Sequence, residues 1–182
     1  MNPKLGLRSL LTGAAVLVML LSACSPALDW REVAVDGAPL HLLMPCKPDH
    51  AMRQLEMGSR TLEMQMLGCE AGRGTFTLAY ATLPQGVPPS EVLARWQAAS
   101  AMRLGAATPS SQEFVPRGGL AVPGSVRMSL QGRNPQGAAV AAQMAWFAHS
   151  SASGIQVFQA AAYAASLTPD ALDTLLESLR WQ

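Results

Sequence analysis

From residue 30 onward, apolar and polar positions alternate with a period of two, the pattern of strands that bury one face against a core. Residues 30–35 and 40–44 read as two strands around Asp36-Gly37. Pro45-Cys46-Lys47-Pro48 then breaks the chain, because each proline fixes its own φ and restricts the residue before it. Residues 52–57 and 60–68 follow as a hairpin through Gly58-Ser59, where Gly at the first central position suits a type II′ turn. In the second of these strands Leu62, Met64 and Met66 face one way, and Thr61, Glu63 and Gln65 face the other. Residues 75–82 repeat the pattern, with Phe76, Leu78 and Tyr80 inward and Thr75 and Thr77 outward.

The period changes to that of a helix after Pro88-Pro89-Ser90-Glu91. Ser90 is the expected N-cap, Glu91 favours the positive helix end, and Val92, Leu93, Trp96 and Ala99 form the apolar stripe that Gly105 ends. Residues 105–125, rich in Pro and Gly, read as a long irregular connection with one short strand at 112–115. Connections of this length are often functional, so a binding surface is sought there. A meander of three strands follows at 126–131, 139–148 and 155–163, with turns at Asn134-Pro135-Gln136-Gly137 and Ser151-Ala152-Ser153-Gly154. Its small alanine side chains allow a helix to pack closely. At the end, Thr168 as cap and Pro169 at the first helical position precede Leu172, Leu175, Leu176 and Leu179, a stripe that packs on the sheet. Strands, helix, strands, helix, with hairpin-length turns inside each strand group, predict an α+β domain. Its expected form is one antiparallel sheet of about seven or eight strands flanked by two main helices.

The N-terminus is of another kind. Lys4 and Arg8 precede an apolar run from Leu10 to Leu21, too short to cross about 30 Å of hydrocarbon comfortably, and small residues follow it. Leu21-Ser22-Ala23-Cys24 resembles the lipobox of bacterial lipoproteins, whose cysteine is acylated and becomes the first mature residue. The resemblance implies residues 1–23 as a signal peptide, Cys24 as the lipidated residue, 24–29 as a short tether and 30–182 as the single domain. The rival readings are an uncleaved signal anchor, or ordinary cleavage with Cys24 free for a disulfide. Ser25 rather than Asp after the cysteine points, by the enterobacterial sorting pattern, to the outer membrane, with the domain on its periplasmic side. A tether of five residues reaches at most about 17 Å, so the domain is expected close to its leaflet.

Loss of residues 1–23 leaves 159 of the 182 residues, enough for one full core, with 11 basic against 12 acidic side chains. No polybasic patch is present, which disfavours nucleic acid as a partner. Of the cysteines, Cys46 and Cys69 remain once Cys24 is acylated, and in an oxidising periplasm an isolated pair forms a disulfide. The rival readings, a metal site or a redox pair, lack CxxC spacing and flanking ligands.

Chemistry is mostly absent from the sequence: no GxSxG, HExxH, Walker loop or GxGxxG occurs. His41, His50 and His149 read as surface histidines, and Glu56 and Glu63 as solvated carboxylates of adjacent strands. No catalytic residue, cofactor or resident metal is assigned. One set invites an alternative: Met44, Met52, Met57, Met64 and Met66, with His41 and His50, carry the soft donors that suit Cu(I). Methionine also fills irregular cores, and alternation with polar residues favours that use.

The block Leu42-Leu43-Met44-Pro45-Cys46-Lys47-Pro48, followed by a Gly-turn hairpin and Phe76-Thr77-Leu78-Ala79-Tyr80, resembles uncharacterised envelope proteins of Gram-negative bacteria. Its element order is similar to the PsbP-like fold, an antiparallel sheet flanked by helices. Cys46 stands where such sequences often have Gly. PsbP-like domains commonly serve as binding or assembly accessories. The expected function is therefore that of a non-enzymatic accessory or binding module of the cell envelope, held to the membrane through Cys24, with an envelope protein as the expected partner.

Overall fold

The computed structural model describes residues 27–57, 60–106, 110–134, 136–168 and 170–182. Cys24 and the rest of the signal and lipobox segment, the Gly58-Ser59 turn and Pro169 lie outside the described residues. Among the described residues, ten strands and two helices form in the order β1 (Arg31–Ala34), β2 (Leu40–Met44), β3 (Asp49–Met57), β4 (Arg60–Ala71), β5 (Gly74–Thr82), α1 (Pro89–Leu104), β6 (Ser110–Glu113), β7 (Val126–Arg133), β8 (Ala139–Ser151), β9 (Gly154–Ala164), α2 (Asp173–Glu177) and β10 (Arg180–Trp181). The class is α+β, mostly antiparallel sheet.

The expected single sheet is two sheets. Seven strands pair in the order β3-β4-β5-β9-β8-β7-β6, and β1-β2-β10 form a separate sheet of three. The Pro45–Pro48 break lets β2 leave the plane of β3, and the C-terminal β10 pairs beside it, Arg180 opposite His41 and Trp181 opposite Leu40. The small sheet and α2 cover one face of the large sheet through Leu40, Leu42, Met44, Leu172, Leu175 and Leu176. Helix α1 covers the other face through Val92, Leu93 and Trp96. The central strands are therefore buried on both sides: in β5, Phe76, Leu78 and Tyr80 face the small sheet, while Ala79 and Ala81 face α1. Alanines on β8 and β9 do what their size allows, with Ala145, Ala160, Ala161 and Ala162 fully buried. Among the described residues, those buried in the two cores all fall between Val35 and Leu179.

Several expected boundaries shift for local reasons. Helix α1 starts at Pro89 with Pro88 as its cap at ψ 124° and no side-chain cap bond, not with Ser90. A residue before proline is pushed to extended backbone, so Pro88 cannot be helical and Pro89 takes the first position. Ala99 is exposed; Ser100, four residues after Trp96, takes the inward place, where Gln159 Nε2 donates to its Oγ at 3.1 Å. The helix ends, as expected, on Gly105 at φ 59°. The final helix is five residues long and begins after tight turns in which Ala171 N–H donates to Thr168 O and Asp173 N–H to Asp170 O. Its leucine stripe is nonetheless wholly buried, as the periodicity predicts. The expected 112–115 strand is β6, two residues earlier.

The Cys46–Cys69 disulfide is present and joins the β2–β3 turn to β4, with Cα atoms 6.0 Å apart. The β4–β5 turn, Gly72-Arg73, has φ of 56° and 67°, the backbone of a two-residue turn with both central residues left-handed. Leu28 packs beside it, 3.0 Å from where a side chain on Gly72 would begin. The domain thus receives its N-terminal segment at this end of the sheet.

Candidate functional site

A ladder of aromatic side chains crosses the large sheet on the face that the small sheet covers. Tyr80 on β5 lies opposite Phe158 on β9, and Phe158 lies opposite Phe147 on β8. The rings stack, Tyr80 on Phe158 at 5.7 Å and Phe158 on Phe147 at 5.3 Å. Phe114, just past β6, meets Phe147 edge-on at 6.1 Å, and Trp181 meets Phe147 at 6.3 Å and Phe158 at 5.4 Å. Ring contacts of this geometry each add about 0.5–1.5 kcal/mol beyond area burial. At the other end of the ladder Tyr80 Oη donates to Asp36 O, which holds the β1–β2 turn on the sheet.

Trp181 is the piece that joins three parts of the chain. Its Nε1 donates to Arg117 O at 2.9 Å, and its ring lies flat on the His149 imidazole at 3.8 Å. His149 Nδ1 is 3.1 Å from Gly118 O, and a proton on that nitrogen makes the bond. Gly118, at φ 77°, is needed here: a Cβ would stand 2.8 Å from Trp181 Cδ1. The connection itself is tied to β8, since Leu120 N–H donates to Ala148 O at 2.8 Å, and Phe114 N–H donates to Ser125 O at 3.0 Å.

Between this connection and the C-terminal segment opens a cleft of about 860 Å³. Its apolar walls are Phe114, Val115, Leu176, Leu179 and Trp181. Its charged groups are Arg117, Arg127, Arg180, Asp173 and Glu177. Arg127 sits at the base, its side chain 16% exposed, bridging Asp173 of α2 and donating from Nη2 to Gln143 Oε1 at 2.8 Å. Gln143 Nε2 in turn donates to Thr168 O at 2.6 Å. This chain of partners fixes the segment before α2 to β7 and β8. Asp170 lies beside it, its carboxyl held below the usual range by a hydrogen bond from Thr168 and, more weakly, by Arg127. Arg117 and Arg180 are exposed and make no ion pair among the described residues.

The residues singled out by the sequence fare differently. The connection at 105–125 supplies one wall of the cleft, from Phe114 to Gly118. The other wall joins the expected leucine stripe, at Leu176 and Leu179, to β10, which has no sequence pattern of its own; the aromatic ladder and the stacking of His149 on Trp181 likewise have no local signal. His41 does lie opposite Leu40 and Leu42 in β2 and faces Glu32 Oε1 at 3.3 Å. Glu56 and Glu63 are exposed and accept hydrogen bonds from Thr61 and Gln65. The methionine and histidine set is divided. His50 pairs with Leu67 and Met52 with Gln65, whereas Met64 and Met66 pair with Arg53 and Ala51, on the opposite face of the same two strands. Met64 and Met66 pack against the α1 core, and Met44 is buried under the small sheet. Among the described residues, no group of three or more His, Cys, Asp or Glu side chains is placed to hold a metal ion. In comparisons with known proteins, no family model and no curated protein matches the chain.

Proposed function

We propose that this chain is a lipoprotein of the cell outer membrane, anchored through Cys24 and facing the periplasm, whose domain is a non-enzymatic binding module or accessory of the envelope on a PsbP-like plan. The observation that carries the reading is the position of the cleft. The N-terminal segment reaches the domain beside Leu28 and the Gly72-Arg73 turn, whereas Trp181, Gly118 and His149 lie at the opposite end of the sheets. In an anchored molecule the cleft therefore points away from the membrane, where a ligand or partner reaches it. Among the described residues its lining holds no Ser, Thr, Cys, Lys or His, and Asp173 is engaged by Arg127, a composition that supports binding rather than covalent catalysis.

Two measurements test this. The intact mass of membrane-extracted protein is expected to equal residues 24–182 with a triacylated glyceryl group, with two thiols appearing only after reduction. An unlipidated mass overturns the anchor. A photo-crosslinking residue at Val115, in the cleft, is expected to give discrete adducts in cells. The same residue at Met102, which is 81% exposed on α1, gives none. Equal labelling from both positions overturns the assignment of the binding surface.

A further inference from the structure

We infer that the cleft takes a small organic anion, a carboxylate, sulfonate or phosphate on an aromatic or aliphatic body. This rests on the cleft being the binding surface and names the ligand class. Volume comes first: about 860 Å³ lies within the range of small-molecule sites, which are mostly apolar with a few oriented polar groups. The apolar part is Phe114, Val115, Leu176, Leu179 and Trp181, and two of these are held by ring contacts to buried Phe147. Trp181 is also fixed by Arg117 O, His149 and Gly118, so it presents a preformed surface whose ordering cost is already met in folding.

Charge sets the sign of the ligand. Asp173 is spent on Arg127 at the base, and that pair is close to neutral toward a guest. What remains on the lining is Arg117 and Arg180 against Glu177. Arg117 belongs to the loop and Arg180 to β10, immediately before Trp181, so two different segments each bring an arginine to the lining. A guanidinium matches carboxylate, sulfonate or phosphate oxygens with paired N–H donors and is weakly hydrated, which suits it to a half-open apolar site. A neutral guest of the same shape gains the wall and not the two cations.

The test uses residues 27–182, which contain both cores, and titrates 1-anilinonaphthalene-8-sulfonate by calorimetry, with N-phenyl-1-naphthylamine as its uncharged counterpart. The sulfonate is expected to bind one to one and more tightly than the amine, and to weaken with added salt. Arg117→Gln with Arg180→Gln together are expected to weaken it about tenfold and leave the amine unchanged. Val115→Glu, at an exposed position of the apolar wall, is expected to weaken both probes and the sulfonate the more. Arg53→Gln with Arg95→Gln, the same charge change on β3 and α1, is expected to do nothing. Dodecanoate, titrated beside the sulfonate, separates the sources: tighter dodecanoate assigns an acyl-chain anion, tighter sulfonate an aromatic one. Equal affinity for charged and uncharged probes, or an arginine double variant that binds like wild type, overturns the inference. Should that happen while the Val115 crosslinks persist, the cleft still binds and only the ligand class is wrong.

Discussion

Removing the Cys46–Cys69 crosslink is the most quantifiable perturbation of this domain. The bond closes a loop spanning 23 positions, from the end of β2 through β3 and its hairpin into β4. In the folded protein that stretch is already held by the β3–β4 ladder, which pairs Asp49 with Gly68 through Met57 with Arg60. The crosslink therefore acts chiefly on the unfolded chain, and loop-closure entropy for this span comes to about 3.4 kcal/mol at 25 °C. The double variant Cys46→Ala/Cys69→Ala keeps the site apolar, which matters because Cys69 packs against the core under the small sheet. Urea unfolding followed by circular dichroism is expected to show a loss of about 3 kcal/mol. The melting temperature should fall by roughly 7–14 °C for a domain of this size. The slope of free energy against urea should also rise, because an uncrosslinked unfolded chain exposes more surface. Each single variant should match the double one. A loss under about 1 kcal/mol with an unchanged slope would refute the entropic account and place the stability of this end of the sheet in the strand ladder alone.

Other expectations follow from single contacts. Gly118→Ala places a Cβ against Trp181 at a left-handed position; near-ultraviolet dichroism and fluorescence of Trp181 should change, with about 1–3 kcal/mol lost in urea unfolding. Gly132→Ala drives a Cβ into Leu104 O, a backbone atom, and should cost about 1–3 kcal/mol or more because α1 must move off β7. Arg127→Gln leaves Asp173 without its partner and should cost about 1–3 kcal/mol at pH 7. Both tyrosines of the chain have raised phenol pKa values, Tyr80 and Tyr163 first of all by burial. A raised phenol binds its proton more tightly in the folded state, so this contribution to stability is complete below about pH 10 and lost as pH rises through the folded values. Absorbance at 295 nm should therefore rise later for the native protein than for the same protein in urea. For Asp170 the sign reverses: its lowered carboxyl contributes above about pH 4 and loses that contribution in acid, so the stability gap between wild type and Asp170→Asn should close below pH 4.

What the sequence discloses here divides along the range of the interactions. Period-two alternation and the Pro-Gly punctuation locate nine of the ten strands among the described residues, and the leucine stripe at 172–179 is wholly buried although its helix is short, because burial depends on spacing over one turn or two. The tenth strand, Arg180–Trp181, has two residues and no pattern of its own; it exists only because β2 offers it an edge more than 130 residues earlier in the chain. The aromatic ladder is the same case. Tyr80, Phe147 and Phe158 each stood in a recognisable strand, but only the pairing of β5 with β9 and β9 with β8 sets them side by side, and a slip of one residue would put them on opposite faces. Register also decides the methionines. Met52 and Met64 are both strand residues of one hairpin, yet Met52 is opposite Gln65 and Met64 opposite Arg53, so the sheet itself separates donors that the sequence sets near one another. Half of the cleft, at Phe114 to Gly118, was accessible to reasoning from loop length and composition. The other half needed Trp181 brought onto His149, and no local signal in either segment announces that contact.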